Sequence, residues 1–177
     1  WNNVFIQFNR QDDGSLVELP AKHVDTGMGF ERVLAVLQGK ASNYDTDLFT
    51  PIFAAVERDT GKTYGGSYDG EADVAFRVCA DHVRAFTAAV ADGVAPSNEG
   101  RGYVLRRLVR RASRYGLQHL DAREPFLHEV VPAVVDVLGD SFPEMRTRLE
   151  HVQLVMRTEE ESFRKTLDRG LVQFEKL

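Results

Sequence analysis

The chain has 177 residues and a formal net charge of −5, with 43% hydrophobic and 28% charged residues. This composition is that of a soluble globular protein. No apolar run approaches the roughly 20 residues that span a bilayer, so we expect no membrane partner. A single cysteine, Cys79, excludes an internal disulfide and fits a reducing compartment such as the cytoplasm.

The first forty residues carry the patterns of short strands. Apolar residues crowd positions 4–8 and predict a largely buried strand that contains Val4, Ile6 and Phe8. A turn signal follows at 12–15. Two further strands are expected, a short one at 16–19 that Pro20 stops and one at about 21–26.

A glycine turn, Gly27-Met28-Gly29, follows these strands and leads into a helix predicted at 30–38. The apolar stripe of this helix is expected at Phe30, Val33, Leu34 and Leu37. A helix N-terminus offers free N–H groups to an anion, and glycine lets a ligand come near. Arg32 can hold a phosphate there, and Asp25 can hold a cation such as an amino group. The spacing alone does not separate a ligand site from an ordinary turn, and no Walker loop is present.

The patterns from about Ser42 onward are helical, which places a domain boundary between Gly39 and Tyr44. The first predicted helix is capped by Asp45 or Asp47 and ended by Gly61, the second covers 71–92, and the third covers the arginine-rich segment. A fourth helix runs from Pro125 to Gly139 with a kink at Pro132. A fifth runs from Pro143 to about Leu177 unless Gly170 breaks it. The last helix has its expected stripe at Leu149, Val152, Met156, Phe163, Leu167, Leu171 and Phe174. The sequence therefore predicts an α+β, mostly α fold: short antiparallel strands in domain 1–41, and a helical bundle with a long C-terminal helix in domain 42–177.

The segment SNEGRGYVLRRLVRRASRYG, residues 97–116, carries six arginines in an acidic chain. On a helical wheel its apolar residues fall on one side, namely Val104, Leu105, Leu108, Val109 and Ala112. The other side is formed by Arg106, Arg107, Arg110, Arg111 and Arg114, while Arg101 belongs to the entry turn or the first turn. No acidic residue lies between positions 101 and 114, so local ion pairs cannot neutralise this face.

Two interpretations of the arginine face remain open from the pattern alone. In the first, the face is structural: it is exposed to solvent or paired with acidic residues elsewhere in the fold. In the second, it binds phosphates. The planar fork of arginine suits phosphate oxygens, and Asn98 in the entry turn can reach a base edge. These features favour nucleic-acid binding.

Three stretches, WNNVFIQFNR, VDTGMGFERVLAVLQGKASNYDTDLF and ADGVAPSNEGRGYVLRRLVRRASRYG, resemble the bacterial alanyl-tRNA synthetase family. The resemblance extends to PFLHEVVPAVV and EEESFRKTLDRG, and so covers nearly the whole chain. It implies a class II synthetase that activates alanine with ATP and Mg²⁺ and transfers it to tRNA(Ala).

The resemblance also implies roles for individual residues. Arg32 would be the catalytic arginine of the third class II motif. The ATP-binding residues would be Thr26, Gly27, Gly29 and Arg32. The alanine-binding residues would be Asn2, Val4, Asp25 and Gly27. In the helical region Asn98 would read a G·U pair in the acceptor stem, beside phosphate contacts from Arg101, Arg106, Arg107, Arg110, Arg111 and Arg114.

The first two class II motifs have no counterpart here, so we expect the chain to be an internal fragment that cannot form the adenylate alone. Zinc is expected only in the family's editing domain, which is absent, and the five histidines show no metal-ligand spacing. Glu159-Glu160-Glu161 is interpreted as a solvated helix face. An alternative function is a non-catalytic module that keeps the fold and binds RNA or a protein partner. In a further alternative, the arginine face meets acidic helices inside the protein.

Overall fold

A computed structural model describes residues 1–174, with side chains through residue 170. The chain folds as two units, Trp1–Thr46 and the residues from Asp47 onward. Within the described residues, one two-stranded antiparallel sheet is followed by seven helices, so the predicted α+β, mostly α class is confirmed. None of these helices is long and apolar enough to cross a bilayer.

The first unit begins with an antiparallel ribbon of β1 (Asn2–Arg10) and β2 (Leu16–Gly27). The predicted turn between them is confirmed, since the Asp13 carboxylate accepts from the backbone N–H of Ser15 at 2.9 Å. The prediction of two separate strands, at 16–19 and about 21–26, is wrong, because β2 runs through Pro20 as a single strand. The pairing shifts between Ile6↔His23 and Phe8↔Glu18, and Pro20 lies in the resulting bulge, where a missing N–H is tolerated.

The predicted burial of the first strand is also wrong for this chain. Val4, Ile6 and Phe8 are 41%, 40% and 48% exposed. The reason is that the first unit supplies no second layer of structure over the described ribbon. The apolar pattern therefore identifies side chains that are suited to burial, although the first unit leaves them exposed.

Helix α1 (Phe30–Leu37) confirms the helix predicted after the glycine turn, and Gly39 at φ +62° follows its end. Its expected apolar stripe is only partly covered, because Phe30 and Leu37 are exposed and Ala35 is the buried residue. A 3-10 turn at Asn43–Asp45 packs against α1 and completes this unit.

The second unit is a helical bundle that contains the main core. Its helices are α2 (Thr50–Thr60), α3 (Glu71–Ala91), α4 (Gly100–His119), α5 (Leu127–Leu138), α6 (Pro143–Thr147) and α7 (Leu149–Phe174). Helix α3 packs chiefly against α4, and α5 packs against α2, α3 and α7. Phe76, Phe86 and Leu127 are fully buried between them, which gives the bundle a continuous apolar centre.

Two helix starts differ from the prediction. The N-cap position of helix α2 is occupied by Phe49 rather than by the predicted Asp45 or Asp47, and Gly61 ends the helix at φ +68° as predicted. Helix α5 begins at Leu127 rather than at Pro125. Pro132 lies inside the continuous α5, and the kink there remains a prediction.

The predicted final helix is divided in two. The backbone at Arg148 (φ −112°) separates α6 from α7, and Gly170 lies within α7 without breaking it. Val152 and Met156 from the predicted stripe are buried. The side chains of Leu171 and Phe174, and residues 175–177, lie outside the described residues.

Candidate functional site

The glycine turn of the first unit lies beside a concave surface of about 570 Å³. Four predicted site residues line it, namely Asn2, Gly27, Gly29 and Arg32. Gly29 is the residue before α1, and a side chain there would begin 3.3 Å from Cδ of Arg32. The missing side chain at Gly29 thus leaves room for the Arg32 stem to lie over the turn.

The ribbon register places the predicted alanine-binding residues together. Asn2 pairs with Gly27 and Val4 pairs with Asp25, so all four positions share one face of the ribbon. Thr26 lies on the opposite face, where its hydroxyl accepts from the Trp1 indole N–H. The structure therefore groups the alanine set and separates Thr26 from it.

The first unit offers charge suited to a nucleotide phosphate. The Arg32 side chain is exposed at the start of α1, where the free N–H groups of the helix also favour an anion. Among the described residues no cluster of three metal-ligating side chains is found. The start of α1 therefore offers an anion both a guanidinium and free backbone N–H groups.

Helix α4 carries the predicted arginine face on its solvent side. Gly100 begins the helix, and Leu105, Val109 and Ala112 are buried as expected. Val104 is an exception, because it is 53% exposed and lies on the arginine side. Five arginines are exposed, namely Arg101, Arg107, Arg110, Arg111 and Arg114.

Four of these exposed arginines, Arg107, Arg110, Arg111 and Arg114, lie against aromatic rings. The Arg110 guanidinium is 5.8 Å from the Phe163 ring centroid, and the Arg111 guanidinium is 5.7 Å from that of Tyr115. Within the described residues, none of the five has an ion pair with a carboxylate. Stacking on rings restrains a guanidinium and leaves its N–H donors available, because the ring occupies only its flat face.

Arg107, Arg110, Arg111 and Arg114 border a groove of about 510 Å³ on the second unit. Its other lining residues are His82, Val104, Leu108 and Phe163. The nearby Asp81 has a pKa below its usual range, because His82 hydrogen-bonds it and because Arg84 and Arg111 add positive charge. The groove thus combines an apolar floor with a positive rim.

Arg106 is the member of the predicted face that an acidic residue engages. Its Nε and Nη2 donate to the Glu159 carboxylate at 3.1–3.3 Å, and Nη1 donates to Oδ1 of Asn98. The alternative in which the arginine face pairs internally therefore holds for this one residue. Glu159 lies 53 residues away and gave no signal in the sequence.

The interpretation of Glu159-Glu160-Glu161 as a solvated face is wrong for its first two members. Glu160 is fully buried and accepts from the backbone N–H groups of Phe126 and Leu127 at 3.1 and 3.0 Å. Burial raises the pKa of Glu160, and the charge of Arg164 opposes that rise. Glu161 is on the surface, paired with Arg157 at 2.8 Å.

The family model for class II (A) tRNA synthetases matches residues 1–177 of this chain. The chain belongs to the class II (A) tRNA synthetase family. The resemblance noted in the sequence is thereby confirmed.

Relatives in this family match the chain along its whole length. The chain is 57% identical over 177 residues to an alanine–tRNA ligase of Chlorobium luteolum and 52% identical over 177 residues to that of Christiangramia forsetii. It is 51% identical over 183 aligned residues to a cytoplasmic alanine–tRNA ligase of Dictyostelium discoideum. All of the chain is covered in each case, and it spans about a fifth of the length of these curated relatives.

Proposed function

We propose that this chain is part of an alanine–tRNA ligase, which activates alanine with ATP and transfers it to tRNA(Ala). The observation that carries the proposal is 51–57% identity along the full chain to relatives named alanine–tRNA ligase. We assign residues 1–41 to the catalytic domain and residues 42–177 to recognition of the acceptor stem. The name of the Dictyostelium relative supports a cytoplasmic location. Zinc in an editing domain remains a prediction for another part of the whole protein.

In the activation step, the alanine carboxylate attacks the α-phosphate of ATP and pyrophosphate leaves. Arg32 holds the γ-phosphate and offsets charge on the departing pyrophosphate. Asp25 pairs with the alanine amino group, and Asn2 and Val4 line the same face of the ribbon. These groups act by positioning, because they bring carboxylate and phosphate into reacting contact without forming a covalent bond to either. Mg²⁺ would supply further charge neutralisation on the phosphates.

In the transfer step, a terminal ribose hydroxyl of the tRNA attacks the alanyl carbonyl and AMP leaves. The exposed arginines of α4 bind acceptor-stem phosphates, which positions the stem without reading its sequence. Asn98 specifies the stem, because a G·U pair displaces donors and acceptors in the shallow minor groove of RNA. The exposure of five arginines without carboxylate partners supports this assignment over a wholly internal pairing.

The catalytic assignment is tested by Arg32→Ala in the whole ligase, assayed by alanine-dependent ATP–pyrophosphate exchange. We expect a loss on the order of 10²-fold or more in the exchange rate, as for other groups that stabilise charge in the transition state. Arg10→Ala is the matched control, because Arg10 is exposed at the end of the ribbon away from the glycine turn and does not line the concave surface. An unchanged exchange rate in Arg32→Ala would contradict the role of this residue.

The non-catalytic alternative has a separate test. The 177-residue chain alone is expected to bind an alanine acceptor-stem hairpin and to show no exchange activity. If the whole protein also shows no exchange while RNA binding persists, the binding-module function replaces the ligase function.

A further inference from the structure

Arg106 is held between two side chains, unlike the exposed arginines of the same helix. Glu159 on α7 accepts three hydrogen bonds from Nε and Nη2 at one edge of the Arg106 guanidinium, at 3.1–3.3 Å. The pair is mostly covered, with 25% of the Arg106 and 17% of the Glu159 side chain exposed. A two-pronged pair of this kind fixes the plane of the guanidinium.

The remaining edge of Arg106 determines how the Asn98 amide is oriented. A guanidinium has donors only, so the Asn98 atom that faces Nη1 must be the carbonyl oxygen Oδ1. The NH₂ group of the amide then points away from Arg106. A free asparagine can present either end to a ligand, whereas this one presents its two N–H donors.

The backbone that carries Asn98 is restrained as well. Ser97 Oγ donates to the Glu99 carbonyl at 2.8 Å, and a side chain at Gly102 would overlap the backbone of Ala95 and Ser97. The entry turn therefore lies directly on the first turn of α4, close to Arg106.

We propose that Arg106 and Glu159 are positioning residues that fix Asn98 as a hydrogen-bond donor toward a base-edge acceptor of the bound RNA. This inference rests on the proposed function, in which Asn98 reads the stem. A fixed donor discriminates between base pairs because it reaches an acceptor only where the pair geometry places one. Glu159 also neutralises Arg106, so Arg106 contributes specificity rather than phosphate binding.

The first experiment compares binding of the 177-residue chain to two RNA hairpins that differ only in a G·U or G·C pair, across a salt series. Arg106→Gln and Glu159→Gln should each reduce the G·U preference by about tenfold or more, the effect of one lost hydrogen bond to a charged group. The double variant should lose no more than either single variant, because the two residues act through one contact. Arg110→Gln is the matched control and should keep the preference.

The salt series separates the two kinds of arginine. Arg110→Gln should lower the slope of log affinity against log salt by about 0.7–0.9, as expected for one lost phosphate contact. Arg106→Gln should leave the slope unchanged. A slope reduced equally in both variants would show that Arg106 binds phosphate and would overturn the proposal.

A second measurement needs no RNA. The Asn98 side-chain amide signals in a ¹⁵N-labelled chain should show restricted motion, and Glu159→Gln should shift them toward those of the exposed Asn9. If Asn98→Ala keeps the G·U preference, the reader function of Asn98 fails, and the amide signals still decide whether Arg106 and Glu159 hold it. If Glu159→Gln changes neither the signals nor the preference, the positioning proposal is refuted.

Discussion

Replacing Glu160 by alanine should remove about 3–5 kcal/mol from the free energy of unfolding, the range seen when one member of a buried ion pair is lost. Glu160 is fully buried and is the acceptor for two backbone N–H groups at the start of α5. Each buried N–H left without an acceptor costs about 1–3 kcal/mol, so these two amides account for most of the loss. Arg164 keeps three other oxygen partners, from Ser113, Ala122 and Arg123, and loses only its bond to Glu160.

The assay is urea unfolding of the 177-residue chain, followed by circular dichroism. Glu161→Ala is the matched control, because Glu161 neighbours Glu160 on the same helix and forms a surface pair with the exposed Arg157. The control should unfold at nearly the parental midpoint, and Glu160→Gln should fall between the two, because glutamine retains one acceptor. A Glu160→Ala midpoint equal to that of the control would refute the capping role assigned to the buried carboxylate.

Three further predictions concern Gly102, Cys79 and Asp81 of the second unit. Gly102→Ala should destabilise the second unit by about 1–3 kcal/mol in urea unfolding, because its side chain would overlap the entry turn. In the same assay Gly170→Ala should be neutral or slightly stabilising, because a side chain there meets nothing within 4 Å. The Cys79 thiol should react with a thiol reagent only as the chain unfolds, because burial raises its pKa; rapid labelling of the native chain would contradict this. Asp81 has a lowered pKa in the fold, so its contribution is present above about pH 4 and lost as the pH falls through its folded value. Melting temperatures of Asp81→Asn should therefore lie below the parental values at neutral pH and converge with them in acid, and parallel curves would exclude the pairing with His82.

The sequence predicted the helices well where one face of each was fully buried in this chain. The spacing of Leu105, Val109 and Ala112 identified the buried side of α4, because these residues follow the helical period. The same reasoning failed for Val4 and Phe8 on the ribbon. Periodicity reports which side chains are suited to burial, and it carries no information on whether a covering layer is present.

The contacts around the candidate RNA site were beyond sequence reasoning for a different reason. Asn98 was identified from its place before a helix, which is a local feature. Its orientation depends on Arg106 and Glu159, which are separated by 53 residues and meet only when α4 and α7 pack. Glu160 was likewise hidden, because an acidic residue inside an acidic run looks solvated until its partners 33 and 34 residues away are known.

Residues 159–164 of α7 fix the position of this helix along its own axis within the bundle. Glu159 bonds to Arg106 of α4, close to the turn that carries Asn98, while Glu160 and Arg164 bond to the start of α5 and to the connection before it. A slide of α7 by a single residue, about 1.5 Å, would break both sets of contacts at once. The alignment of α7 with its neighbours is thus specified by side-chain chemistry, whereas apolar packing alone tolerates small shifts. Insertions or deletions of single residues in α7 before Glu159 should therefore be far less acceptable than substitutions on its exposed face.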